Sequence, residues 1–201
     1  AHNCPDGVWQ YLLDKLGLAE EDLFRVDGPV NLNRLMALGD LVDRPDLKYP
    51  PFTSRLSSTL GQDRIFDTIN RKDSLLHHPF ESFAPVVELR RAAAKDPDVL
   101  AIKQTLYRTG TDSAVVDALI KAAHAGKEVT VVVELRARFD EADNIGLAKA
   151  LQDAGAHVVY GVVGHKAHTK MVLIVRRENG RLTHYCHLST GNYHPRTARL
   201  Y

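Results

Sequence analysis

In the stretch GHKAHTKMVLIVRR, residues 164–177, His168 and Lys170 stand two apart at the head of an apolar run. Residues two apart on extended backbone point the same way, so the imidazole and the ammonium are expected to face one pocket. A neutral imidazole can attack phosphorus, and an adjacent ammonium offsets charge on phosphoryl oxygens. His165 and Lys166 add positive and titratable character just upstream. The chemistry this predicts is phosphate chemistry. Beyond the next apolar run lies STGNYH, where Ser189, Thr190 and the Asn192 amide can donate hydrogen bonds to the same oxygens. Gly191 lets the backbone approach a ligand closely. An HxK pair alone recurs by chance; at the head of a strand, with a small-residue turn after the following strand, it is more specific.

The surrounding elements have to bring these groups together. VLAIKQTLYR predicts a strand, and TDSAVVDALIKAAHAG a helix capped by Thr111 or Asp112 and closed by Gly126. EVTVVVELRARF is a second strand, EADNIGLAKALQDAG a second helix and HVVYGVVG a third strand. This alternation predicts an α/β fold with a mixed, largely parallel sheet flanked by helices. TKMVLIVRR and LTHYCHLST, joined through ENGR, predict an antiparallel hairpin that continues the sheet. Ligands of such sheets bind beyond the carboxyl ends of the strands. Arg108 follows the first strand, Arg136 and Arg138 the second, and the His168 segment the third. Arginine's planar fork suits phosphate oxygens. Helix N-termini near Asp112 and Glu141 would add partial positive charge at the same edge.

Upstream, residues 8–72 predict short helices joined by irregular crossings, including VWQYLLDKLGL, NLNRLMALGDL and SSTLGQDRIFDTINRKDS. The expected organisation is therefore 1–72 as the end of a helical middle domain and 73–201 as an α/β domain that opens with the helix of PFESFAPVVELRRAAAKD. The chain has 201 residues, of which 44% are hydrophobic, and it carries a net charge of +1. That charge divides unevenly. Residues 1–85 hold 9 Lys+Arg against 13 Asp+Glu, and residues 86–201 hold 17 against 12, which points to the second part for an anionic partner. No apolar run approaches the ~18 residues of a membrane span, and the opening AHNCPDGVWQ lacks a signal-peptide pattern. Cys4 and Cys186 fit neither a disulfide framework nor a zinc site, so a cytoplasmic setting is expected. The patterns HExxH, GxxxxGK[ST] and GxGxxG are absent. His77, His78, His165, His184 and His187 are assigned structural or supporting roles.

Several long blocks resemble the central portion of the type 1 polyphosphate kinase family: VDGPVNLNRLM, RPDLKYPPFT, LLHHPFESF, DPDVLAIKQTLYRTG, EVTVVVELRARFDE and TGNYHPRTARLY. The resemblance runs from about Leu12 to Tyr201. It implies a phospholipase D-like catalytic fold and reversible transfer of the ATP γ-phosphate, with ADP as the other nucleotide, to a polyphosphate chain. It implies that His168 is the phosphorylated histidine, that Arg108 and Arg138 form the phosphate and Mg²⁺ site, and that Tyr201 contacts ATP. Arginine cannot ligate a cation, so phosphate oxygens or water would have to bridge any Mg²⁺. The resemblance further implies a homo-oligomer and a cytoplasmic enzyme lying peripherally at the inner membrane.

Two positions depart from the family pattern, which has Leu at the place of His165 and usually Gly at the place of Ser189. Sites of this kind combine two HxK-bearing halves, and only one lies within these residues, so little turnover is expected of this stretch alone. Two other readings stand beside this one. A phosphodiesterase of the phospholipase D type usually carries an aspartate soon after HxK, whereas MVLIVRR follows Lys170. A non-catalytic module that binds polyanions or assembles with copies of itself would need only the basic edge. Nucleic acid is disfavoured because no aromatic ladder accompanies the basic residues.

Overall fold

The computed structural model describes residues 4–58, 60, 64–110, 113–135 and 141–200. The chain forms two compact units, residues 1–51 and 52–201.

In the first unit, α1 spans Asp6–Leu16 and ends where Gly17 turns left-handed at φ 64°, its terminal carbonyls on Asp14 and Leu13 taken up by the following amides. A 3₁₀ segment, Leu32–Ala37, runs directly into α2, Leu38–Leu41. None of the described residues of this unit is buried. Its apolar side chains, such as Phe24, Met36 and Tyr49, lie on its surface.

The second unit carries the core. It begins with extended chain, which Arg55 bridges to Glu81, and continues into α3, Ile65–Arg71. Then come α4 (Ala84–Lys95), β1 (Val99–Leu106), α5 (Ala114–His124), β2 (Glu128–Val133), α6 (Glu141–Asp153), β3 (His157–Tyr160), β4 (Lys170–Glu178) and β5 (Arg181–Ser189). Each long helix buries a stripe at helical spacing: Val86, Leu89, Arg90 and Ala93 on α4, and Val115, Ala118, Leu119 and Ala122 on α5. α5 starts after Ser113 and closes at Gly126, φ 80°; the expected caps Thr111 and Asp112 lie outside the described residues. β4 and β5 meet at a two-residue Asn179-Gly180 turn with both residues at positive φ, which suits the twist of a tight hairpin.

The sheet order is β3-β2-β1-β4-β5, with β1, β2 and β3 parallel and β4 antiparallel to both β1 and β5. This is the mixed α/β sheet flanked by helices that the sequence predicts. The hairpin continues this sheet by docking beside β1. The apolar content of the strands explains this. Val172 and Ile174 of β4 are fully buried, so β4 belongs in the interior, while the short β3 and the polar β5 form the edges.

This order fixes where residues 161–169 must go. β3 ends at the edge where β1 and β2 also end, and antiparallel β4 begins at that same edge, with β2 and β1 lying between them. The connection therefore stays on this edge and crosses the ends of β2 and β1. β5 returns to it as well, since Ser189 pairs with Lys170. No helix among the described residues is long and apolar enough to cross a membrane.

Beneath the edge, the α4 stripe includes a cation. Arg90 is fully buried, donates to Gln104 Oε1 (2.8 Å) and to the Val86 carbonyl (2.5 Å), and lies 4.2 Å from the centroid of the buried Tyr193 ring. The Tyr193 hydroxyl is 3.0 Å from His187 Nδ1. Burial, helped by the charge of Arg90 and by His78, pushes the His187 imidazole down to about 3. In the unfolded chain the same ring protonates near its ordinary value of about 6.5. Protons thus bind the unfolded state first as pH falls. The expected outcome is a stability loss between pH 6.5 and about 3, with a slope from this group of at most about 1.4 kcal/mol per pH unit. Urea midpoints measured across that window should show a flatter dependence for His187→Phe than for the unaltered chain.

Candidate active site

The four groups at the sheet edge share one aromatic platform. Tyr107 directly follows β1 and is only 8% exposed. The His168 ring meets it edge-on at 5.0 Å and 77°. The charged groups of Lys170, Lys166 and Arg108 lie 5.0, 5.4 and 5.5 Å from its centroid. An aromatic face attracts cations, and here one ring holds three of them beside an imidazole.

Each member is set by its element. Arg108 turns left-handed at φ 53°, a conformation that costs a non-glycine residue roughly 1–2 kcal/mol; strain of this kind collects at functional sites. Lys170 opens β4 and is 5% exposed, and its ammonium donates to the His168 carbonyl at 2.6 Å. His168 itself is exposed. Burial and Lys166 hold the Lys170 amine below its ordinary value. The positive charge of Lys170, then desolvation, then Lys166 and Arg108 hold the His168 imidazole below its ordinary value. Crowded cations thereby keep this ring neutral and nucleophilic to lower pH.

The approach to His168 is anchored by a residue that sequence reasoning missed. Glu134, directly after β2, is 4% exposed, and its Oε2 accepts the Ala167 N–H at 2.8 Å. Its own carbonyl accepts from Asn144 of α6 at 3.2 Å. The signal in the sequence was a carboxylate closing the run EVTVVV, at a position where a buried acid needs donors. Tyr107 was also missed, although its place beside Arg108 at a strand end offered a hint.

The other predicted residues fall as follows. Asn192 lines a cavity of about 210 Å³ that it shares with Arg108. The Ser189 hydroxyl donates to the Gly191 carbonyl (2.9 Å) and accepts the Gly191 N–H (3.1 Å), so it closes its own turn instead of facing the oxygens of a ligand. His165 and His184 are exposed, and His187 belongs to the Arg90–Tyr193 cluster. Arg136, Arg138 and Tyr201 lie outside the described residues.

A strand edge that ends in an aromatic platform, three cations and an exposed imidazole defines an α/β domain suited to phosphate groups. The family model for polyphosphate kinase C-terminal domain 1 matches residues 64–201. Polyphosphate kinase from Xylella fastidiosa (strain 9a5c) is 59% identical over 201 residues, covering all of this chain and 28% of that protein. The Burkholderia multivorans (strain ATCC 17616 / 249) enzyme is 60% identical over 202 residues, covering 98% of this chain and 29% of that protein. The crystal structure of polyphosphate kinase from Porphyromonas gingivalis matches with a TM-score of 0.67 at 34% identity, covering 94% of this chain and 29% of that one. The chain belongs to the polyphosphate kinase family. It spans less than a third of the length of the relatives it matches.

Two outcomes test the geometry. In NMR titrations the His168 imidazole should protonate below 6.5, and Lys170→Met, by removing the largest repulsion, should move that midpoint upward. Glu134→Ala should lower the urea unfolding free energy by about 1 kcal/mol, because it leaves a half-buried amide without its acceptor. Amide exchange at Ala167 should accelerate with it, and Glu134→Gln, which keeps a carbonyl oxygen, should lose less.

Proposed function

We propose that the full-length protein transfers the γ-phosphate of ATP to inorganic polyphosphate, reversibly, through a phosphohistidine on His168. The observation that carries this reading is the exposed His168 imidazole, held below its ordinary pKa amid Lys170, Lys166 and Arg108. Membership of the polyphosphate kinase family supports it.

In the first step a lone pair of the neutral imidazole attacks Pγ in line. The N–P bond forms, the bond from Pγ to the bridging oxygen breaks, and ADP departs with that electron pair. In the second step the terminal oxygen of polyphosphate attacks the same phosphorus and the N–P electrons return to the ring. Such transfers depend on positioning and charge stabilisation more than on covalent chemistry. We assign Lys170 and Arg108 to the equatorial oxygens because their charges flank the His168 ring, and Arg138 to the same role by family resemblance. The Glu134–Ala167 bond limits the motion of the segment that carries the nucleophile. We read Tyr201 as the nucleotide contact on the same family grounds.

The described residues suit a magnesium ion poorly as direct ligands. Arg108 has no lone pair to donate, and no group of three His, Cys, Asp or Glu side chains with metal-binding geometry occurs among them. Magnesium would therefore travel on the phosphate oxygens of the nucleotide.

Incubating the full-length protein with γ-labelled ATP should leave acid-labile, base-stable label on the protein, and His168→Ala should take up none. Equal labelling of that variant would remove His168 from the nucleophile role.

A further inference from the structure

His194 is a histidine to which the sequence analysis gave no role, and its ring borders the Arg108–Asn192 cavity. It lies in the GNYHPRT segment after β5 and ahead of a 3₁₀ turn, Thr197–Arg199. Its Nδ1 accepts the Arg196 N–H at 3.1 Å. An imidazole nitrogen that accepts a hydrogen bond carries no proton, so in this ring the proton sits on Nε2. Its carbonyl is fixed as well, accepting from the Thr197 hydroxyl (3.1 Å) and the Ala198 amide (3.0 Å).

The ring also packs unusually close to the backbone across the cavity. A Cβ built on Gly110 would lie 2.9 Å from His194 Nε2, and Gly110 has φ +78°. Glycine thus admits the imidazole where any other residue would obstruct it. Gly110 follows Arg108 by two residues, so the imidazole is carried to the loop that bears the guanidinium.

We infer that His194 is a phosphate-binding residue whose Nε2–H, together with Arg108 and Asn192, forms a subsite for one phosphoryl group. The three supply a ring N–H, a guanidinium and a carboxamide, all donors suited to phosphoryl oxygens. They come from two elements, the end of β1 and the turn after β5, that the sheet order brings to one edge. The cavity, about 210 Å³, falls below the ~300 Å³ at which small-molecule pockets begin, so it suits a single phosphoryl group and not a nucleoside. Asp143, which also lines it, is exposed and therefore screened by water. The assignment rests on the phosphotransfer reading above. The phosphoryl group belongs either to ATP or to the polyphosphate chain.

A pair of substitutions in the full-length protein separates ligand binding from turn formation. His194→Asn keeps an acceptor near the place of Nδ1 and loses the distal donor. His194→Gln places an amide near Nε2 and gives up the acceptor to Arg196. A ligand role predicts that His194→Asn raises a KM by about tenfold, the typical effect of a lost hydrogen bond to a charged group, and that His194→Gln recovers most of it. A rise in the KM for ATP during synthesis assigns the group to the nucleotide; a rise in the KM for polyphosphate during ATP formation assigns it to the polymer. Unchanged constants in His194→Asn, a defect confined to His194→Gln, or equal defects in both would overturn the inference and leave His194 as part of the turn. Absence of γ-label on the unaltered protein would instead overturn the parent phosphotransfer reading.

Discussion

Mutual repulsion among cations organises this domain's functional edge. Lys166, Lys170 and Arg108 gather around a single tyrosine ring, and their combined field acts on the His168 imidazole. An aromatic face eases such crowding by about 0.5–1 kcal/mol per exposed cation, far less than a bound polyanion would. The opposite edge of the sheet is handled differently. There Arg176 is neutralised by Asp96 at 2.9 Å and Glu178 at 2.7 Å. One edge therefore pairs its cation with carboxylates, and the other sets its cations around an aromatic ring.

A buried cluster of polar contacts lies below the crowded cations. Arg90, Gln104, Tyr193 and His187 form a buried polar column under the turn that presents Asn192 and His194. Burying a guanidinium is costly, and its Nη2 has no hydrogen-bond partner among the described atoms. An aliphatic side chain at position 90 would avoid that cost but would lose the stacked contact with Tyr193. That contact joins α4 to the post-β5 turn. Glu134 does comparable work on the other side, tying the end of β2 to the residue before His168.

Much of this architecture was legible in the sequence. Period-two apolar runs alternating with helical stripes marked the strands and helices, and the Asn-Gly pair marked the hairpin turn. HxK at the head of a strand, together with Arg108 after β1, pointed to the edge where the structure gathers Lys166, Lys170 and Arg108 around Tyr107. What the local patterns did not encode was which strand the hairpin would join, because that depends on the relative burial of all five strands at once. Tyr107, Glu134 and His194 escaped notice for a related reason. A tyrosine at a strand end, an acid after an apolar run and a histidine in a polar turn each have ordinary surface explanations, and only three-dimensional convergence distinguishes them. Tyr201 rests on resemblance alone, and Arg138 on resemblance together with its place after the second strand.

The absence of a side chain at position 110 carries a consequence for how such chains diverge. Because the imidazole at 194 occupies the volume that a methyl group at 110 would need, position 110 does not change freely while that ring stays in place. A descendant that acquires alanine at 110 must also lose the histidine, swing its ring aside or reshape the turn holding it. What position 110 can hold is thereby tied, through a single steric gap, to a side chain 84 residues further along the chain.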